Sequence, residues 1–224
     1  MFTYDHFIEL HNWLTENWSG YVSIIEGGST SAGDPIILGR SDWEVAIVAD
    51  NISEKDRISL ATYLRSFPQD DRLELVYRSK EELLGNSQSS HQLTGKFRSK
   101  TLFGEDLLDQ IPLPDVSIIE KAWRSGLKMT IYKIDKYTVN ASIWSDERIR
   151  KAFRQVFKDA FLNLQLKSWC DTENFPVTRK DVVLAYSSPE LADVWDCLHG
   201  INDANPDVIL ETAKRLKLLL SEIA

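Results

Sequence analysis

The sequence predicts an α+β protein: a mixed β-sheet flanked by helices, followed by a C-terminal helical bundle. Three observations carry this expectation. Short β-branched and apolar runs at 21–25, 43–48 and 72–77 are interleaved with helical patterns. Pro112 and Pro114 then mark a change of character. Beyond them strand-like runs become scarce and the 3.6-residue period dominates. The chain is accordingly divided into residues 1–112 and 113–224.

Tyr4, Phe7, Ile8, His11, Leu14 and Trp18 recur at helical spacing and make one apolar stripe, which Gly20 ends. Tyr21 to Ile25 reads as a strand stopped by Gly27-Gly28. Ser29 to Ser41, rich in Ser, Gly and Asp, reads as a short helical turn or loop. Trp43 to Val48 is a second strand. Ser53, with Asp56 three residues on, has the spacing of a capping box, so a helix should run to about Phe67. Arg72 to Tyr77 is the third strand.

In the second half, Ile149, Phe153, Val156, Ala160 and Leu164 share one helical face, which Phe157 and Phe161 widen. Ser145 is placed to cap that helix, and Asp146 and Glu147 suit its positive end. Asn205-Pro206 opens a last helix that should bury Ile209, Ala213, Leu216 and Leu220. Tyr132, Tyr137 and Val139 suggest an extended segment between them.

Chemistry concentrates in Gly27-Gly28-Ser29-Thr30-Ser31-Ala32-Gly33 and in Ser41-Asp42-Trp43-Glu44-Val45. Strand side chains alternate between faces, so Asp42 and Glu44 should project together while Trp43, Val45 and Ile47 enter the core. Two carboxylates about 4 Å apart at an effective dielectric near 20 repel by on the order of 4 kcal/mol. A divalent cation or screening water relieves that cost. Glu74, between Leu73 and Leu75, is the polar face of a half-buried strand and joins the pair if the two strands are neighbours. Three oxygen donors on rigid strands suit Mg²⁺, which keeps waters and accepts phosphate oxygens. A strand ending in Gly28 lets backbone N–H groups approach an anion, and the Ser29 hydroxyl can donate to a phosphate. Taken alone, Asp-x-Glu is a solvated sheet face and Gly-Gly-Ser a turn; the conjunction is what points to a site.

The arrangement resembles the nucleotidyltransferase superfamily with the DNA polymerase β-type fold, whose signature is a Gly-Ser pair, a spacer, and Asp-x-Asp or Asp-x-Glu on the next strand. Within it, the likeness is greatest to bacterial aminoglycoside adenylyltransferases of the streptomycin and spectinomycin type. Leu73-Glu74-Leu75-Val76 is similar to that family's third-strand motif, whose acid is the general base. Leu102-Phe103-Gly104-Glu105-Asp106, before Ile111-Pro112, is similar to its segment leading into a helical domain. Thr178-Arg179-Lys180-Asp181 is similar to a Thr-Lys-Asp motif with one insertion, and Lys167 falls where the family carries a nucleotide-binding arginine. The resemblance implies ATP as co-substrate and Mg²⁺ held by Asp42, Glu44 and Glu74. It also implies nucleotide contacts from Gly28, Ser29, Lys167 and Lys180, and AMP transfer to a small hydroxylated acceptor lying between a catalytic half and a helical half. Glu44 where close relatives carry Asp, and Trp43 where an aliphatic residue is usual, are departures. They favour one alternative, a nucleotide-binding regulatory module with weak catalysis. A further alternative is AMP transfer to a protein or RNA acceptor, with the acidic net charge arguing mildly against RNA.

Composition bounds the rest. A formal net charge of −8 argues against whole-protein attraction to nucleic acid or an anionic membrane. No apolar run approaches the roughly 20 residues of a membrane-spanning helix, no secretory signal is visible, and a cytoplasmic location is the default. Cys170 and Cys197 match no metal or disulfide spacing, the four histidines are scattered, and no Gly-rich dinucleotide or P-loop motif occurs. Lys96, Arg98 and Lys100 read as solvated loop charge, with a triphosphate-facing role as the alternative. Oligomeric state is not legible.

Overall fold

The computed structural model describes residues 3–34, 43–85 and 89–224. The chain separates into two compact units, Met1–Pro114 and Asp115–Ala224.

In the first unit, α1 (Tyr4–Asn17), β1 (Tyr21–Glu26), a one-turn helix α2 (Gly28–Ser31), β2 (Trp43–Ala49), α3 (Glu54–Leu64) and β3 (Leu73–Ser79) follow in that order. Then come α4 (Lys80–Leu84), α5 (Ser90–Phe97), β4 (Lys100–Gly104) and a 3₁₀ turn at Leu108–Gln110. Among the described residues the strands form one sheet, ordered β3-β2-β1-β4. β1 is antiparallel to β2 and to β4, whereas β2 and β3 are parallel. A parallel pair needs a crossover of a dozen residues or more, and the segment containing α3 supplies it. The α3 cap forms as its sequence indicates: the Ser53 hydroxyl accepts from the Asp56 N–H, and the Asp56 carboxylate accepts from the Ser53 N–H at 2.9 Å.

β2 sorts its side chains by parity. Val45, Ile47 and Ala49 are buried with Phe7, Leu10, Leu14 and Trp18 of the α1 region and Leu60 of α3, and Trp43 packs at that core's edge. Ala46 and Val48 face a smaller cluster built on Ile25 and Leu107. His11 is a packed histidine: its ring stacks on Phe103 at 4.9 Å and its Nδ1 is 2.8 Å from the Tyr21 hydroxyl.

β4 runs through a stretch that reads as loop in the sequence. Each basic residue of the cluster there has a partner, although Lys100 stays exposed. Lys96 Nζ donates to the carbonyls of Asp109 and Ile111, Arg98 pairs with Asp34, and Lys100 pairs with Glu26. At the far end of β4, Gly104 adopts φ +86°, and a Cβ there would lie 2.1 Å from the Val22 carbonyl oxygen.

The second unit is helical: α6 (Val116–Asn140), α7 (Asp146–Thr172), α8 (Arg179–Tyr186), α9 (Pro189–His199) and α10 (Pro206–Ile223), with a 3₁₀ turn at Ala141–Ile143. Tyr132, Tyr137 and Val139 are helical, correcting the extended expectation. The stripe Ile119, Trp123, Leu127, Thr130, Ile134 is buried along α6, and burying it outweighs the β-propensity of three residues elsewhere on the helix. Ser145 and Asn205 cap α7 and α10 as expected. Gly126 lets α6 approach α7 closely; a Cβ at that position would fall 1.9 Å from Asn163 Oδ1. Among the described residues no helix is long and apolar enough to cross a membrane.

Candidate functional site

β1 ends at Glu26, and the Gly27 N–H donates to the Glu44 carbonyl at 2.9 Å. The chain then turns at Gly28, which has φ +75°, and closes into α2 through Ala32 N–H to the Gly28 carbonyl and Asp34 N–H to the Ser29 carbonyl. Gly28 is constrained twice. Its φ lies where L side chains are strained, and a Cβ there would stand 3.1 Å from Glu44 Oε2. The Gly28–Ser29 turn therefore lies directly against the Glu44 side chain.

Glu44 and Glu74 are partners in the parallel β2–β3 ladder. In-register residues of a parallel pair share a face, on strands about 4.8 Å apart. Both carboxylates are exposed on the face opposite the α1–α3 core. The start of this ladder is pinned. The Trp43 N–H donates to the Arg72 carbonyl at 2.6 Å, and Arg72 forks onto Asp70 through Nε at 2.8 Å and Nη2 at 2.6 Å. Asp42, the third expected carboxylate, lies outside the described residues. Among the described residues no group of three or more His, Cys, Asp or Glu gathers as a metal cluster. Glu44 and Glu74 supply two oxygen-donor side chains side by side in water-accessible positions, a donor set of the hard type that Mg²⁺ takes.

Trp43 has a partner of its own. Its Nε1–H donates to Glu26 Oε1 at 2.7 Å, and its ring meets Phe7 edge-on at 4.9 Å. The other Glu26 oxygen receives Lys100 Nζ at 2.7 Å. Glu26 is 3% exposed and Lys100 reaches it from the surface, so the bulky residue between the two site positions is fixed by a buried acid on the core face. Asp34, fully buried, pairs with Arg98 Nη2 at 2.7 Å. Burial pulls the Arg98 guanidinium below its usual value, and the charges of Asp34 and Glu44 oppose that. The sequence marks neither Asp34 nor Glu26, and it marks Arg98 only as part of a basic cluster. No local pattern announces a bond between residues so far apart in the chain.

Lys167 and Lys180 belong to the second unit. The Lys167 ammonium bonds the Asp171 carboxylate one turn on and lies 5.3 Å from the Trp123 ring centroid. Lys180 is exposed in the first turn of α8, beside the buried Arg179. Thr178 and Asp181 form a capping box for that helix, so two residues of the Thr-Arg-Lys-Asp motif have a structural role.

No protein-family model and no curated protein matches the chain by sequence. Comparison with solved structures gives a likeness to spectinomycin adenyltransferase AAD(9) from Enterococcus faecialis, solved with ATP and spectinomycin. The likeness covers 96% of this chain and 100% of that one, with a TM-score of 0.51 and 15% sequence identity. The fold is of the nucleotidyltransferase type. In this nucleotidyltransferase-like fold, the Gly28–Ser29 turn and the Glu44–Glu74 pair occupy neighbouring strand ends of the small mixed sheet.

Proposed function

We propose that the chain is an adenylyltransferase that moves AMP from magnesium–ATP to a hydroxyl of a small, aminoglycoside-like acceptor. The observation that carries this is the in-register Glu44–Glu74 pair against the Gly28–Ser29 turn, within a fold shared with an enzyme solved with ATP and spectinomycin. Asp42, Glu44 and Glu74 would hold Mg²⁺, which when bound neutralises charge on the phosphate oxygens. The turn at Gly28 brings backbone N–H groups and the Ser29 hydroxyl to the triphosphate. Lys167 and Lys180 are the proposed contacts from the helical unit, residues 113–224, whose role would be to close on the substrates; residues 1–112 would be the catalytic unit.

Glu74 is the proton acceptor. It takes the proton of the acceptor hydroxyl as that oxygen bonds to the α-phosphorus, and the bond from the α-phosphorus to the bridging oxygen breaks to release pyrophosphate. Glu74 is solvent-exposed, so the proton can pass on to water after transfer. The non-catalytic alternative drew on Glu44 and Trp43, and of these Trp43 has a packing explanation in its bond to Glu26.

The test is a pyrophosphate-release screen across nucleotides and hydroxylated acceptors, aminoglycosides included, on wild type, Asp42→Ala and Glu74→Gln. Loss of a positioned general base costs about 10²–10⁴ in rate. Glu74→Gln should show that loss with ATP binding retained in calorimetry, and Asp42→Ala should remain folded without transferring AMP. Wild-type rates in either variant would refute the assignment.

A further inference from the structure

We propose that Arg98 is a positioning residue of this site: through Asp34 it fixes the Gly28–Ser29 turn in the conformation that meets the triphosphate. The inference rests on the adenylyl-transfer reading only for what the turn receives; the tie itself is geometric. Asp34 is the far anchor of the turn, since its N–H donates to the Ser29 carbonyl at 3.0 Å. Its carboxylate has no solvent exposure and meets Arg98 Nη2 at 2.7 Å. Arg98 comes from the C-terminal end of α5, where its own N–H closes the helix on the Thr94 carbonyl at 2.8 Å. The turn is thus held from a separate element, by a fully buried carboxylate paired with a largely buried guanidinium.

The position also matters for charge. Arg98 lies within electrostatic range of Glu44, whose carboxylate stands against Gly28. Arg98 touches no reacting atom. It acts through Asp34 and the turn.

The experiment measures hydrogen exchange at the amides of residues 32–34 in the full chain, and kcat and KM for ATP in pyrophosphate release, on the same samples. Wild type, Arg98→Met, Arg98→Lys, Asp34→Asn and the double variant Arg98→Met/Asp34→Asn are compared. Partners that orient a binding group typically contribute about 10–100-fold to affinity or activity. Arg98→Met and Asp34→Asn should each raise exchange at these amides and raise KM for ATP by about tenfold or more, with a smaller change in kcat. The double variant should be no worse than the more impaired single, because the pair acts as one unit. Arg98→Lys, which keeps the charge, should fall between wild type and Arg98→Met; if Arg98→Met does not fold, Arg98→Lys and Asp34→Asn carry the test. Unchanged exchange would overturn the proposal, as would raised exchange with KM unchanged. A wild type that neither binds nor turns over ATP would instead sink the reading of function, and the exchange data would still decide whether Arg98 holds the turn.

Discussion

Gly28 carries a conformational and a steric constraint at once, and replacing it separates them from the chemistry nearby. Holding an L residue at φ +75° costs about 1–2 kcal/mol, and the new Cβ would press on the Glu44 carboxylate. Gly28→Ala should lower the unfolding free energy by about that amount and depress pyrophosphate release, both measurable on one preparation. At Asp56 the Ser53 hydroxyl and backbone N–H hold the carboxyl below its ordinary value of 3.8. A native value below the unfolded one stabilises the fold above pH 3.8, and that increment is lost as pH falls through the depressed native value. Ser53→Ala should therefore flatten the acid limb of a thermal-midpoint against pH profile. At this scale legibility followed locality. Glu44 and Glu74 stood out as acids inside apolar, period-two runs, and Ser53–Asp56 as a three-residue spacing. Asp34–Arg98 and Glu26–Trp43 did not, because each bond joins side chains whose sequence neighbours say nothing of the partner. Asp42 was legible as a motif residue and lies outside the described residues.

The α6–α7 pair shows what one missing Cβ allows. Asn163, 8% exposed, fills the space at Gly126 and donates its amide to the Asp159 carbonyl at 2.7 Å. Gly126→Ala should destabilise the protein by about 1–3 kcal/mol through overpacking, and adding Asn163→Ala should recover part of that loss. Chemical denaturation of the two singles and the double would show the coupling; strictly additive losses would contradict it. Gly104→Ala asks more of the backbone, because the clash is with the Val22 carbonyl oxygen rather than a side chain. It should cost on the order of 3 kcal/mol, read as a lower denaturation midpoint. Elements with a clean stripe, such as α1, with a cap, such as α3, or with both, such as α7 and α10, were legible in the sequence. β4 was hidden by the basic residues around it, which sequence alone reads as solvated. α6 was hidden by exposed Tyr132 and Val139, whose propensities do not count once the opposite face is buried.

Each unit carries its own buried core. In the helical one Phe153, Phe157, Leu164, Val182, Leu191, Ile209 and Leu216 are fully buried. Residues 115–224 expressed alone should show cooperative thermal unfolding by circular dichroism; a non-cooperative melt would contradict a self-sufficient core. The α+β class and the helical second half were legible because periodicity survives in single segments. Strand order and the parallel β2–β3 pairing were not, since they depend on which strands meet. That pairing has a consequence for how the chain can change. The spacing of Glu44 and Glu74 is copied from a ladder of backbone bonds, so lengthening the crossover at 50–72 leaves both acids in place. Deleting one residue inside Trp43–Ala49 would turn the strand inside out, sending a glutamate toward Phe7 and a valine to the water. Chains sharing this fold should thus drift freely in the crossover's length and hardly at all in the strand's.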